Sequence, residues 1–66
     1  MDINNLKIGD YIDCHTDEIE LKHAKIVNLT PTIIDHDKRF IIVVSDINTC
    51  HVINVTDITK IYINDS

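Results

Sequence analysis

The feature that most restricts the folds open to this chain is its content of β-branched side chains. Isoleucine, valine and threonine account for 14, 5 and 6 of the 66 residues. These side chains are stiff at χ1 and fit the pleated surface of a sheet better than a helix. Leucine and alanine, two strong helix formers, occur only three times and once. The composition therefore predicts an all-β protein.

The length allows one small domain, because domains below about 50 residues rarely stand alone. No run of the sequence approaches the roughly 18 apolar residues of a membrane span. The N-terminal segment 1–5 lacks the basic start and apolar stretch of a secretion signal. We therefore expect a single domain over residues 1–66, located in the cytoplasm and not bound to a membrane.

The core available to such a domain is thin. Hydrophobic residues make up 44% of the chain, and a domain of this size buries only about 60% of its unfolded surface. Small domains usually add a disulfide, a metal or self-association. The two cysteines permit at most one internal disulfide, and an intracellular setting keeps thiols reduced. We therefore expect a homo-oligomer.

The first half of the chain contains one clear strand and one ambiguous segment. Residues 11–15 alternate, which places Ile12 and Cys14 on one face of a strand. Residues 18–28 could be a helix, since Asp17 and Glu20 have the spacing of a capping box. Apolar side chains would then surround the whole helix. A strand is favoured, with a bulge where Ile26 meets Val27 and one face formed by Ile19, Leu21, Val27 and Leu29.

The second half predicts further strands separated by polar turns. Residues 32–34 and 40–44 flank the polar segment 35–39 and are typical of a hairpin. A turn at 45–49 leads into a strand at 50–55, and residues 61–63 form a last short strand. The sequence allows one short helical turn near 56–60. The prediction is about five short antiparallel strands forming a small barrel or a strongly bent sheet.

Two segments carry a resemblance to a known class of folds. Residues 8–12 (Ile-Gly-Asp-Tyr-Ile) open the first strand, and residues 55–61 (Val-Thr-Asp-Ile-Thr-Lys-Ile) close the last. At this level the chain resembles a Src-homology-type or Sm-like small β-barrel. The resemblance implies, as an alternative function, a module that binds nucleic acid or ribonucleoprotein. The net charge of −5 opposes a phosphate backbone, so the charge argues against a nucleic-acid partner.

No arrangement typical of an enzyme is visible in the sequence. A single glycine, Gly9, rules out a glycine-rich phosphate loop, and neither serine lies in a nucleophile motif. Adjacent residues on a strand point to opposite faces, so Cys14-His15 and Cys50-His51 do not each form a metal-binding pair. One member of each pair could still bind a metal with another histidine, or the cysteines could form a disulfide. We expect no enzyme activity, no cofactor and no metal.

The richest polar cluster is residues 35–39, for which a solvated turn is the simpler interpretation. The functional interpretation is ligand binding, in which Lys38 and Arg39 donate to an anion. The ring of His36 or Phe40 would stack on a planar group. With Tyr11 as a further aromatic residue, the predicted site would hold a small anionic ligand such as a nucleotide signal at a subunit interface.

The choice of amino acids also points to an origin. Residues with AT-rich codons, such as isoleucine, asparagine and lysine, are frequent, whereas glycine, alanine, arginine and proline each occur once. This pattern indicates a low-GC bacterium, or a phage or mobile element within one. The expected function is a non-enzymatic accessory protein that sequesters a host small molecule or blocks a host protein.

Overall fold

In the computed structural model, which describes residues 5–64, five antiparallel strands form a single sheet. The strands are β1 (Tyr11–Thr16), β2 (Glu20–Leu29), β3 (Phe40–Val44), β4 (Cys50–Asn54) and β5 (Ile58–Asn64). Their order across the sheet is β4-β3-β2-β1-β5, so the last strand returns beside the first. Within the described residues, β4 and β5 are the two edges of an open sheet. The all-β prediction is confirmed in its bent-sheet form.

The alternation predicted for the first strand is confirmed in β1. Ile12 and Cys14 have no solvent-exposed surface, whereas Tyr11, Asp13 and His15 lie on the opposite face and are partly exposed. Period-two alternation places every second side chain on one face of a strand. This strand therefore has one face in the core and one toward solvent.

The ambiguous segment is a strand, β2, and it contains two bulges. Ile26 pairs with Val43 and Asn28 with Ile42, so Val27 is an extra residue at the predicted bulge. The prediction that Val27 shares a face with Leu21 is wrong: Leu21 is buried and Val27 is exposed, because a bulge changes the face on which the next residue lies. The second bulge is unpredicted and contains His23, whose φ of 54° is in the left-handed region.

The predicted strand at residues 32–34 is absent, and so is its hairpin with residues 40–44. The segment between β2 and β3 forms turns, including a 3₁₀ turn at His36–Lys38. The reason is that β2 itself pairs with β3 over residues 25–29, so the place beside β3 is already taken. Thr30 ties the ends of the connection together: its N–H donates to the Phe40 carbonyl at 3.1 Å.

The turns in the last third of the chain agree with the sequence more closely. Ser45 and Thr49 close the β3–β4 turn, in which Asn48 has a φ of 64°. A 3₁₀ turn at Val55–Asp57 lies near the predicted helical turn. The last strand begins at Ile58, earlier than the predicted residue 61.

The core is formed by the side chains on one face of the sheet together with two residues outside the strands. The buried hydrophobic residues are Leu6, Ile12, Cys14, Leu21, Ala24, Ile26, Ile41, Val43, Ile53, Val55 and Ile61. The described structure places no helix over this face, so the sheet itself must bend around these side chains. Among residues 5–64 there is also no helix long and apolar enough to span a bilayer.

Candidate functional site

The structure separates Tyr11 from the other predicted ligand residues. Tyr11 lies on β1 opposite Lys25, and Lys25 in turn lies opposite Val44, the last residue of β3. Phe40 is the first residue of β3, about 13 Å away from Val44 along the strand. Tyr11 and Phe40 therefore cannot stack on the same small ligand within one copy.

The two predicted cationic donors also differ in their surroundings. Lys38 is exposed and lies 3.9 Å from a carboxylate oxygen of Asp35, and His36 beside it is exposed. Arg39 is buried, with only 5% of its surface exposed. Because arginine is rarely buried, no sequence signal predicts this position. Arg39 is thus placed toward the interior and Lys38 toward solvent, so they do not form a joint anion site.

Tyr11 belongs to a different cluster on the solvent-facing side of the sheet. Its ring stacks on the imidazole of His23, with the centroids 4.5 Å apart. The His23 backbone N–H and the Asn64 side-chain amide each donate to Oδ1 of Asp13 at 2.9 Å. The Asn64 bond, and then the His23 bond, hold the pKa of Asp13 below its ordinary value. We call these four residues the Tyr11 cluster.

Both cysteines are free thiols in different environments. Cys14 is in the core, and its burial raises the pKa of the thiol to about 11. Cys50 is exposed on β4, away from Cys14. No group of three or more metal-ligating side chains is brought together in the part of the chain that the structure describes.

The most unusual surface lies on the outer face of β3. In an antiparallel sheet with one solvated face, strands normally alternate between apolar and polar residues. β3 does not: Ile41 and Val43 are buried in the core, while the outward residues are Phe40, Ile42 and Val44. Strands that are apolar on both faces are typical of sheets covered on both sides.

The adjacent edge strand extends this apolar surface. Val52 of β4 lies directly opposite Ile42 of β3, and 67% of its surface is exposed. We call the outward side chains Phe40, Ile42, Val44 and Val52 the apolar strip. None of its members is charged. The run of apolar residues at 40–44 is visible in the sequence, but it does not reveal which face is left uncovered.

The backbone of β4 also has a defined open side. The Ser45 N–H donates to the Thr49 carbonyl at 2.9 Å, and the Val55 N–H donates to the Arg39 carbonyl at 3.0 Å. Hydrogen-bonded pairs alternate along an antiparallel ladder. In the register of β3 and β4, the hydrogen-bonded pairs between these two bonds are therefore 43–51 and 41–53, so the backbone groups of residues 51 and 53 point toward β3. Those of Cys50, Val52 and Asn54 point away from β3.

A shallow groove of about 250 Å³ runs beside β4. Its apolar part is formed by Ile19, Val52 and Ile53. Its polar walls come from the β1–β2 turn and the end of β4, and they include the carboxylates of Asp17, Glu18 and Asp57. The edge of β4 is therefore next to open space with an acidic rim.

Comparisons of this chain with protein-family models, with curated proteins and with solved structures return no match.

Proposed function

We propose that this protein is a non-enzymatic binding module that captures another protein through the apolar strip. The observation that carries this proposal is the outer face of β3, where the half-buried apolar side chains of Phe40, Ile42 and Val44 adjoin the exposed Val52 of β4. Contiguous exposed apolar surface on a small domain is typical of an interaction site. The strip is also uncharged in a chain with a net charge of −5, so its contacts with a partner depend on apolar burial.

The thiols and the dispersed polar groups support a role without catalysis. The raised pKa of Cys14 keeps this thiol protonated near neutral pH, and a protonated thiol is a poor nucleophile. Cys50 and His51 lie on opposite faces of β4, so the imidazole is not directed at the exposed thiol. These features favour recognition over chemistry.

The composition supports a biological setting for such a module. The AT-rich choice of amino acids fits a phage or mobile-element accessory protein that acts in the cytoplasm of a low-GC bacterium. In this setting the captured protein is a host protein, and its occupation by this module blocks it. The thin core supports function as a homo-oligomer.

The test is capture of host proteins by immobilised protein, with quantification of each captured protein by mass spectrometry. The double substitution Ile42→Thr with Val52→Thr keeps β-branched residues in β3 and β4 but makes the centre of the apolar strip polar. We expect the recovery of the specific partner to fall at least tenfold, and we expect capture by the unmodified protein to persist in high salt.

The matched control is Tyr62→Thr on β5, which also changes an exposed outward residue of an edge strand. We expect this control to capture the partner as well as the unmodified protein does. Equal capture by the double variant and the control would refute the apolar strip as the binding surface.

A small anionic ligand with a planar ring is a second candidate, favoured by the Tyr11–His23 stack. A third ring could extend the stack, and Lys25 lies opposite Tyr11 on the neighbouring strand. Calorimetry with a panel of nucleotides tests this candidate. Binding that is lost in Tyr11→Leu and retained in Phe40→Leu would support it, and a panel without heat would eliminate it.

The alternative of a nucleic-acid module predicts retention of RNA or DNA that weakens with salt. The described basic side chains are dispersed over the segment before β1, β2, the 30–39 connection and β5, and Lys22 and Lys38 lie near carboxylates. This distribution favours the protein-binding proposal over the nucleic-acid alternative.

A further inference from the structure

We propose that two copies of this protein pair through their β4 strands, antiparallel, with Val52 at the twofold axis. The inference deepens the self-association that forms part of the proposed function. It rests on the direction of the backbone groups of β4, on the sequence of that strand and on the groove beside it.

The free backbone groups of β4 can hydrogen-bond with those of a second β4. Cys50, Val52 and Asn54 point their N–H and C=O groups away from β3, as the bonds at Ser45–Thr49 and Arg39–Val55 require. A second β4, placed antiparallel, presents the same three residues in the reverse order. Val52 then exchanges two hydrogen bonds with Val52 of the second copy, and Cys50 exchanges two with Asn54 of the second copy. By symmetry the pairing contains about six interchain backbone bonds.

The distribution of charge also favours β4 as the pairing strand. Two copies that each carry a net charge of −5 repel each other, and a pairing strand without acidic side chains adds nothing to this repulsion. β4 has the sequence Cys-His-Val-Ile-Asn and contains no acidic residue. It also lacks lysine and proline, which natural sheets place on edges to prevent pairing.

The groove beside β4 can receive a side chain of the second copy. In the proposed register, His51 of the second copy lies opposite Ile53 and on the same face of the sheet. Ile53 lines the groove of about 250 Å³ beside β4, whose rim carries Asp17, Glu18 and Asp57. An imidazole from the second copy therefore enters a space that offers it carboxylate acceptors. Each copy supplies one groove and one histidine, as an isologous interface requires.

The pairing also enlarges the apolar strip. Ile42 and Val52 are cross-strand neighbours within one copy, and the twofold axis places Val52 beside Val52 of the second copy. The outward residues Ile42 and Val52 of both copies then form one continuous apolar row. The proposed protein-binding surface is thereby doubled and becomes symmetric.

Disulfide trapping tests the register. The substitution Asn54→Cys introduces a thiol opposite Cys50 of the second copy, at a Cα separation of about 5.5 Å that a disulfide can span. Within one copy, positions 50 and 54 are about 13 Å apart along the strand and cannot be bridged. We expect mild oxidation to give a covalent dimer at least tenfold faster than for the unmodified protein or for Tyr62→Cys on β5.

Sedimentation equilibrium of a matched pair of variants gives an independent measurement. An interface of five residues per copy is small, so we expect dimerisation at roughly micromolar concentrations. Val52→Lys places a charge at the twofold axis and should weaken dimerisation at least tenfold. Tyr62→Lys changes the other edge and should leave dimerisation unchanged. Circular dichroism verifies that both variants fold.

Three results would overturn the inference. They are a strict monomer at high micromolar concentration, equal trapping by Asn54→Cys and Tyr62→Cys, and equal dimerisation of the two lysine variants. Trapping through Tyr62→Cys alone would indicate that copies associate through β5. Failure here is distinguishable from failure of the proposed function, because trapping and sedimentation measure dimerisation without any partner, whereas capture by the unmodified protein measures partner binding whether or not it dimerises.

Discussion

β4 and β5 are the two edges of one sheet, but only β5 carries the features that prevent edge pairing. β5 contains Lys60, and its ladder with β1 is interrupted between His15 and Thr16. β4 pairs with β3 through five residues in unbroken register and has no lysine or proline. Charges and irregular ladders protect natural sheet edges from other chains. The difference between the edges therefore supports β4 as the edge that a second copy covers.

The two edges should contribute equally to the core despite this difference. Ile53 of β4 and Ile61 of β5 are 4% and 3% exposed. We expect Ile53→Ala and Ile61→Ala each to lower the free energy of unfolding by about 2–5 kcal/mol, a large part of the stability of a small domain. Urea unfolding at low protein concentration measures this, with Val52→Ala as a mild control. A negligible effect at Ile53 would contradict the packing of β4 described here.

Removing the charge from β5 should make the edges alike. Lys60→Val leaves β5 without a charged side chain, and an uncharged edge strand invites pairing. We expect species larger than a dimer in analytical ultracentrifugation, increasing with concentration. The control is Lys38→Val, which removes the same charge from the connection outside the sheet. If both variants behave like the unmodified protein, Lys60 does not protect this edge.

We expect acid to destabilise the end of β5 before β4, because the end of β5 is hydrogen-bonded to a carboxylate of β1 that becomes protonated in acid. Asn64 donates to Asp13, and the pKa of this carboxyl lies below its ordinary value of 3.8. A lowered pKa in the folded state stabilises the protein above pH 3.8, and this contribution is lost as the pH falls through the folded-state value.

An NMR titration of the Asn64 side-chain amide measures this loss. We expect its resonance to shift with a midpoint below 3.8, and we expect Asn64→Ala to raise the pKa of Asp13. The backbone amides of β4 (Cys50–Asn54) serve as the internal reference, because none of them donates a hydrogen bond to a carboxylate in the described structure. A midpoint above 3.8 would contradict the Asp13–Asn64 bond.

Alkylation of the two thiols compares their burial in the unmodified protein and requires no substitution. Cys50 on β4 is exposed and Cys14 is buried in the core with a raised pKa. We expect iodoacetamide at pH 8 to label Cys50 about two orders of magnitude faster or more, because Cys14 reacts only after opening of the fold. Mass spectrometry should show one label per chain. Simultaneous labelling of both would indicate that β1 is not held in the core.

The sequence predicts local features of the sheet well where the pattern depends on adjacent residues. The alternation at Ile12 and Cys14, the strand identity of residues 20–29 and the bulge at Val27 follow from the order of apolar and polar side chains. The predicted strand at 32–34 is wrong because β-branched content alone does not decide which segment occupies the place beside β3. That choice depends on pairing between distant residues.

The site was less accessible to sequence reasoning than the fold. Lys38 and Arg39 are adjacent in sequence, but one is in solvent and the other is buried. The stack of Tyr11 on His23 depends on a bulge with a left-handed histidine, for which no sequence marker exists. Which residues of β4 point their backbone groups away from β3 depends on the alternation of hydrogen-bonded pairs, and this alternation is defined only by the register with β3.

The position of β5 beside β1 has a consequence for the order of folding. The neighbouring pairs β1–β2 and β3–β4 are joined by the short turns 17–19 and 45–49, whereas the contact of Tyr11 with Asn64 closes a loop of about 50 residues. Such long-range closure is slow relative to hairpin formation, so we expect β5 to dock last. Until then β1 is itself an unprotected edge. The time during which the chain can misassemble in the cell is therefore determined by how fast β5 docks on β1, and not by the edge strand that stays exposed in the folded protein.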